Sequence, residues 1–354
     1  MKFFGMKLTY RKVLSLLYIF VPISIASSYI TENQLLLFIT SALGLIPLAE
    51  LLGHATEELA KHSGKVMGAF LNSTFGNATE FMVSIFAIKT GLFTLVKADL
   101  MGSFIGNLLL VVGLCFFIGG LKFKQQEFSL KGATTNSTML TMAIVGLMIP
   151  TLFTYISGET KPLLSLEISF VLIMIYFLGL FFSMKTHKDV FNPNDLIDEK
   201  PEWSKRKSVF FLALATFAVG FEANILVGTI QTVSEMLGLS QLFIGIIIIA
   251  GIGNVAAIST GIMQALKNRM DLSLNIAIGS SNQVALFITP MLVFISYILG
   301  NPMDLVFNIF TIIALGISLF VLTLVCIDGK SDWLEGAQLL SVYLILAFLF
   351  LSIS

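Results

Sequence analysis

Long apolar stretches separated by short polar connections run through all 354 residues of this chain. A helix needs about 20 consecutive, mostly apolar residues to cross a bilayer. Eleven stretches have roughly this length, and their pattern predicts an all-α polytopic membrane protein with about 11 transmembrane helices. These runs lie at about 13–30, 34–53, 66–90, 92–120, 137–156, 163–183, 208–230, 241–265, 273–299, 303–326 and 335–353.

The composition also favours a lipid environment over water. Hydrophobic residues make up 56% of the chain and charged residues 12%, about half the charge of a soluble protein. The 21 Lys and Arg balance the 21 Asp and Glu, so no charge excess points to nucleic acid as a partner. The polar segments show no nucleophile–base pair, phosphate loop or metal cluster. We therefore expect a protein that has the lipid bilayer as its partner. We expect it to be no enzyme and to carry no prosthetic group.

The positions of the basic residues predict the orientation in the membrane. If the N-terminus is cytoplasmic, 18 of the 21 Lys and Arg lie in inner loops, and only Lys89, Lys97 and Lys161 lie outside or near the outer boundary. Such an excess of positive charge marks the cytoplasmic side. We expect a multi-pass protein of the cell membrane, with its C-terminus outside.

An internal repeat relates the third run to the eighth at a constant offset of 177 positions. Gly76-Asn77 match Gly253-Asn254, and Gly102-Ser103 match Gly279-Ser280. The second copy comes five runs later. Each run crosses the membrane once, so an odd number of crossings reverses the orientation of the second copy, and helices 2–6 and 7–11 are predicted to form inverted repeats. This symmetry is typical of alternating-access transporters, although a channel could share it. The predicted segments are 1–33 (N-terminal segment and first helix), 34–183 (first five-helix repeat), 184–207 (cytoplasmic linker) and 208–354 (second five-helix repeat).

Glu80 lies in the middle of the third run, where an ionised carboxylate costs at least ~2.5–3.5 kcal/mol. No Lys or Arg lies near the middle of any run, so a transported cation or a proton is the simplest partner. A structural, hydrogen-bonded glutamic acid is the alternative. Gly76 and Asn77, one turn earlier, weaken the helix, and a broken helix exposes carbonyl oxygens suited to Ca²⁺ or Na⁺.

Polar patches in the fourth and ninth runs complete the predicted ion path. Small-residue packing explains Gly102, Ser103 and Gly279. It explains the amides of Asn107, Asn282 and Gln283 poorly, so we expect these amides to line the path. The predicted cation- and proton-binding residues are Glu80, Asn77, Gly76, Asn254, Gly253, Ser103, Ser280, Gln283 and Asn107.

Further acidic residues lie in the second and seventh runs. Glu57 and Glu58, after the second run, are expected to be solvated, and an acidic mouth could concentrate cations. Glu222 is expected at membrane depth in the seventh run. Glu222 and Glu50 are therefore possible auxiliary acids.

Four segments carry a family resemblance: 64–91 around GNATE, 242–290 around GNVAA, 120–128 and 332–340. In these segments the chain resembles the short bacterial Ca²⁺/H⁺ antiporters of the calcium/cation antiporter superfamily. The resemblance covers essentially its whole length. The resemblance implies exchange of Ca²⁺ for H⁺ by alternating access, with Glu80 as the shared cation and proton site and as a metal ligand.

The second motif departs from the family pattern. The family has a Glu-His pair after Gly-Asn, where this chain has Ala257 and Ile258. Ala257 is the repeat counterpart of Glu80, so one of two expected carboxylates is missing. In the seventh run Ala223 separates Glu222 from Asn224, whereas the family usually has them adjacent. Two alternatives stay open, namely Na⁺ or K⁺ exchange against protons and a non-transporting cation-binding sensor or scaffold. A homo-oligomer is also possible.

Overall fold

The computed structural model describes residues 12–63, 67–68, 71, 75–186 and 201–353, which form a helical bundle. Two short strands, β1 (Gln125–Glu127) and β2 (Lys330–Asp332), are the other regular elements of these residues. In chain order the helices are α1 (Lys12–Ile30), α2 (Gln34–His62), α3 (Ala78–Lys89), α4 (Phe93–Phe123), α5 (Leu130–Ser157), α6 (Pro162–Phe181), α7 (Lys205–Leu237), α8 (Gln241–Gly253), α9 (Val255–Leu266), α10 (Met270–Ile298), α11 (Ile309–Val325) and α12 (Trp333–Ser352).

The helix lengths confirm an all-α polytopic membrane protein. Within the described ranges, eight helices are long and apolar enough to cross a membrane, and the bent pair α8–α9 makes a ninth. Helix α11 has only 17 residues. Helix α3 belongs to the predicted run 66–90, in which residues 66, 69–70 and 72–74 lie outside the described residues. The count of eleven therefore stays a prediction.

The helix boundaries confirm the internal repeat for the central helices. Helix α9 begins at Val255 and ends at Leu266, each 177 positions after the corresponding boundary of α3. Helices α4 and α10 also begin 177 positions apart, and each contains a π-helical turn, at Gly106–Val111 and Val284–Ile288. Corresponding sequence has therefore folded into corresponding breaks and bends.

Polar side chains define where several helices begin. The side chains of Asn33, Ser129, Ser204 and Asn308 accept hydrogen bonds from backbone N–H groups in the first turns of α2, α5, α7 and α11. Asp332 and Glu335 form a reciprocal capping box at the start of α12. These caps satisfy N–H groups that have no partner inside the helix.

Contacts between connections sort the helix ends into two groups. On one side, β1 pairs antiparallel with β2, and Gln126 donates from Nε2 to the carbonyl of Ala265 (2.9 Å), so the ends of α4, α9 and α11 lie together. On the other side, Asn301 donates to the carbonyl of Ile88 (3.2 Å), and the backbone N–H of Phe307 donates to Thr151 Oγ1 (3.0 Å). This grouping agrees with the predicted alternation of loops; which side is cytoplasmic stays a prediction.

The expectation that Glu58 is solvated was wrong. Its side chain is fully buried, accepting from Lys61 Nζ (2.8 Å) and from the backbone N–H of Trp203 (2.7 Å). The chain before α7 folds back onto the end of α2, where His62 Nε2 also lies 2.6 Å from the Trp203 carbonyl. This contact between distant parts of the chain is not visible in the local pattern. Glu57, at 33% side-chain exposure, is more accessible.

We predict opposite labelling of the two groups of connections. Single cysteines at Glu202, Glu159 and Asp328, all exposed, would be placed in a background lacking the buried Cys115 and Cys326. A membrane-impermeant maleimide should label positions 202 and 328 from the cytoplasmic side and position 159 from outside. Labelling of positions 159 and 328 from the same side would contradict the predicted topology.

Candidate cation-binding site

Two interrupted helices meet at the centre of the bundle. Helices α8 and α9 meet at Asn254 with a bend of 53°, and Gly76 and Asn77 form the turn that precedes α3. A bend of this size separates backbone groups that would otherwise bond along the helix, leaving oxygens free for a ligand. The two predicted breaks therefore lie at the start of corresponding half-helices.

Glu80 reaches from the first break to the second. It is the third residue of α3 and only 1% exposed. A Cβ atom built on Gly253 would lie 2.7 Å from the Glu80 carboxyl carbon and from Oε1. No side chain larger than that of Gly fits at position 253 unless the carboxyl group moves. Among the described residues, neither carboxylate oxygen of Glu80 has a hydrogen-bond partner.

A chain of polar side chains links α4, α10 and the first break. Asn107 donates from Nδ2 to Ser280 Oγ (3.0 Å), and Ser280 donates to Asn77 Oδ1 (2.7 Å). Asn77 in turn donates from Nδ2 to Gln283 Oε1 (2.8 Å). All four belong to the predicted set, and the hydrogen bonds fix which way their amide and hydroxyl groups point.

At the second break, residues of the second half contact the first half of the chain at corresponding repeat positions. Asn254, the counterpart of Asn77, donates to the carbonyl of Ser103 (3.4 Å), and Ser103 is the counterpart of Ser280. A Cβ on Gly106, the counterpart of Gln283, would lie 2.9 Å from Asn254 Nδ2. Such reciprocal contacts are what a two-fold relationship produces. They support the inverted arrangement of the two halves.

The centre offers hard oxygen donors without partners. In the part of the chain that the structure describes, the buried oxygens that lack a hydrogen-bond partner include both carboxylate oxygens of Glu80, Ser103 Oγ, Asn107 Oδ1 and Asn254 Oδ1. Ca²⁺ takes six to eight oxygen ligands of these kinds. Among the described residues no group of three or more His, Cys, Asp or Glu could hold a metal ion. A cation here would therefore depend on amide, hydroxyl and backbone oxygens as well as on carboxylate.

Asp99 is a buried acid that is absent from the set predicted from the sequence. It lies on α4 with 0% exposure, and Ser84 Oγ donates to its Oδ2 over 3.5 Å. Its Oδ1 has no hydrogen-bond partner among the described residues. The sequence feature that identified Glu80, a carboxylate inside an apolar run, would also have identified Asp99.

Other predicted residues face different neighbours. Glu222 is fully buried and accepts from Ser24 Oγ (2.7 Å), and its carboxyl group would lie 3.5 Å from a Cβ on Gly44. It therefore lies between α1, α2 and α7, and its described contacts are not with Glu80. Glu50 is partly buried on α2. Asn282 donates to the carbonyl of Asn136 (3.4 Å) on α5 rather than joining the chain from Asn107 to Gln283.

The packing interpretation holds for Gly102 and was wrong for Gly279. A Cβ on Gly102 would overlap the backbone of Ile246, so α4 and the π-helical part of α8 pack closely there. A Cβ on Gly279 would meet nothing within 4 Å. The two glycines are repeat counterparts, but only one lies at a close helix crossing.

Comparison with known proteins identifies relatives over the whole chain. The profile of the family described as sodium/calcium exchanger protein matches residues 33–185 and 207–352. The Ca(2+)/H(+) antiporter ChaA of Bacillus subtilis (strain 168) is 41% identical over 333 residues, covering 92% of this chain and 95% of that protein. A Ca(2+)/H(+) antiporter of Aphanothece halophytica is 39% identical, covering 94% and 95%. The solved structure of native YfkE matches with a TM-score of 0.85 at 37% identity, covering 96% of this chain and 99% of that chain.

We predict different effects of adding a methyl group to the two counterpart glycines. Gly102→Ala should lower the stability of the purified protein by about 1–3 kcal/mol, because the methyl group forces the two helices apart. Gly279→Ala should cost no stability, because open space surrounds that position. The gain from removing a helical glycine is common to both variants. Thermal unfolding in one detergent would test this, and equal midpoints for the two variants would contradict the packing difference.

Proposed function

This chain belongs to the sodium/calcium exchanger protein family, and from that premise we propose that it is a Ca²⁺/H⁺ antiporter of the cell membrane that works by alternating access. The proposal depends most on one observation. The Glu80 carboxylate is buried between two broken helices and has no hydrogen-bond partner within the described ranges. Relatives at 39% and 41% identity, named Ca²⁺/H⁺ antiporters, support the choice of ions.

Glu80 is proposed as the group that Ca²⁺ and H⁺ share. When the carboxylate is ionised, it attracts a cation; when it is protonated, the negative charge is removed and the neighbouring amides have no ionic partner. The two ions therefore compete for one position, and in each loaded form the Glu80 carboxyl group is no longer an unpaired charge in the apolar interior. Because an unpaired buried charge is expensive, the loaded forms are the ones expected to reorient.

The polar residues around Glu80 are proposed to complete the cation site. The free oxygens of Ser103, Asn107 and Asn254 would add uncharged ligands, and the hydrogen bonds of Ser280 and Gln283 would hold Asn77 in place. Gly253 leaves room for the carboxyl group, and Gly76 lies in the turn before α3. Glu222 and Glu50 remain candidates for auxiliary roles elsewhere in the bundle.

Alternating access is proposed to use the two-fold relationship between residues 34–183 and 208–354. The contact of Asn77 with the second half and that of Asn254 with the first half lie at corresponding positions of the repeat. The proposed motion weakens one contact while it strengthens the other, so that each side opens in turn. We further propose that the linker 184–207 and the N-terminus face the cytoplasm and that the C-terminus lies outside.

Two other functions fit parts of the same geometry. A site with one ionised carboxylate would suit Na⁺ or K⁺ exchange against protons, and a site that binds without reorienting would suit a sensor or scaffold. A flux screen of Ca²⁺, Na⁺, K⁺ and Mn²⁺ against an imposed pH gradient in reconstituted vesicles separates the three functions.

Replacement of Glu80 by glutamine is the direct test of the shared site. Glu80→Gln keeps the shape and hydrogen-bonding capacity but removes the charge and the proton, so it should abolish pH-driven Ca²⁺ flux in vesicles. The matched control is Glu159→Gln, which removes a carboxylate from an exposed connection and should leave flux unchanged. Retained flux in a folded Glu80→Gln variant would mean that the site lies elsewhere, and Glu222 would be tested next.

A further inference from the structure

The charge at the proposed site, on which this inference rests, does not balance with Glu80 alone. Ca²⁺ carries two positive charges, and the repeat counterpart of Glu80 is the uncharged Ala257. Amide and hydroxyl oxygens can complete the coordination but cannot offset the second charge. A further buried carboxylate close to Glu80 would resolve this imbalance.

Asp99 lies deep enough in the bundle to be that group. It is the seventh residue of α4, about 9 Å along the helix from its first residue. Its side chain is completely buried, so water does not compensate its charge. At this depth an ionised carboxylate needs a partner as much as Glu80 does.

The nearest basic residue along α4 is already bound elsewhere. Lys97 donates from Nζ to the carboxylate of Asp304 and to the carbonyl of Val306 (2.8 Å). Residues two positions apart on a helix point to different sides, so Lys97 does not face Asp99. The ion pairs found in the described part of the chain involve Lys61 and Lys97 and include neither Asp99 nor Glu80.

One hydrogen bond and the packing of two helices place Asp99 near Glu80. Ser84, which donates to Asp99 Oδ2 over 3.5 Å, follows Glu80 by four residues on α3 and so shares its face of the helix. Helices α3 and α4, which carry the two acids, also pack against each other. As far as the structure describes the chain, Asp99 Oδ1 and both carboxylate oxygens of Glu80 lack hydrogen-bond partners. Two close carboxylates in an apolar interior repel each other unless a cation or a proton lies between them.

We propose that Asp99 is the second cation-binding carboxylate of this protein, supplying from α4 the charge that Ala257 does not supply from α9. Its own repeat counterpart, Ile276, is apolar, so this acid breaks the two-fold symmetry. Both carboxylates then belong to the first half of the chain, while the second half contributes uncharged oxygens. A site with two negative charges favours a divalent ion over Na⁺ or K⁺, because attraction increases with the product of the charges.

The test removes the charge from one helix and restores it on the other. Asp99→Asn should weaken apparent Ca²⁺ affinity by about tenfold or more, which corresponds to about 1.4 kcal/mol. Ala257→Glu in the Asp99→Asn background should recover most of that loss, because it places a carboxylate at the counterpart of Glu80. The same Ala257→Glu change in the parent should improve affinity less, since two carboxylates are already present. Asp328→Asn, at an exposed connection, is the control for loss of an acidic residue.

Ca²⁺ affinity would be measured as the Ca²⁺-dependent rise in thermal stability of each purified variant, and compared with Ca²⁺ flux in vesicles. Asp99→Ser serves as a second variant, because its hydroxyl can still bond with Ser84. Parent-like Ca²⁺ affinity in folded Asp99→Asn and Asp99→Ser would overturn the proposal. Failure of both to fold, also with Glu at position 257, would overturn it too, since Asp99 would then be a structural acid.

The Glu80→Gln variant separates this inference from the proposed function. If that variant abolishes exchange while Asp99→Asn behaves as the parent, only the role of Asp99 fails. If Glu80→Gln retains exchange, the site itself fails whatever Asp99 does. A selective loss of Ca²⁺ affinity in Asp99→Asn, recovered by Ala257→Glu, supports both.

Discussion

Burial of unpaired negative charge is the constraint on which this structure depends. Glu80 and Asp99 lie in the apolar interior without a basic partner among the described residues, and a charge in such surroundings is costly unless a cation or proton accompanies it. The surrounding features serve this requirement. Gly253 leaves space for the Glu80 carboxyl group, and the side chains of Ser103, Asn107 and Asn254 have buried oxygens without hydrogen-bond partners in the described part of the chain.

The two-fold arrangement explains why the oxygens come from both halves. Asn77 bonds to Ser280, and Asn254 bonds to the carbonyl of Ser103, so each break is held by the half to which it does not belong. A change at one break is thereby felt in the other half. The two acids depart from this symmetry, because the counterparts of Glu80 and Asp99 are Ala257 and Ile276. The scaffold is symmetric, whereas the charge is not.

Much of this arrangement could be predicted from the chain itself. The apolar runs, the matched Gly-Asn pairs and the carboxylate of Glu80 are local signals. The described helices follow apolar runs, α3 and α9 repeat at the predicted offset, and Glu80 is buried beside the second break. The errors arose where a residue's surroundings come from distant sequence. Glu58 is buried by Trp203, 145 positions later, and Gly279 lacks the close neighbour that its counterpart Gly102 finds in α8. Asp99 could have been recognised from the sequence as a carboxylate inside an apolar run. Its position near Glu80 could not, because it depends on how α3 packs against α4.

Competition between protons and Ca²⁺ at equilibrium is the most direct measure of a shared carboxylate site. Ca²⁺ binding to the purified, unmodified protein would be measured at several pH values in weak buffer, together with the protons released. A shared site predicts that Ca²⁺ affinity falls as pH falls, because protonation removes the attracting charge, while the number of Ca²⁺ bound at saturation stays constant and protons are released on binding. Ca²⁺ affinity that is independent of pH, with no proton release, would contradict it.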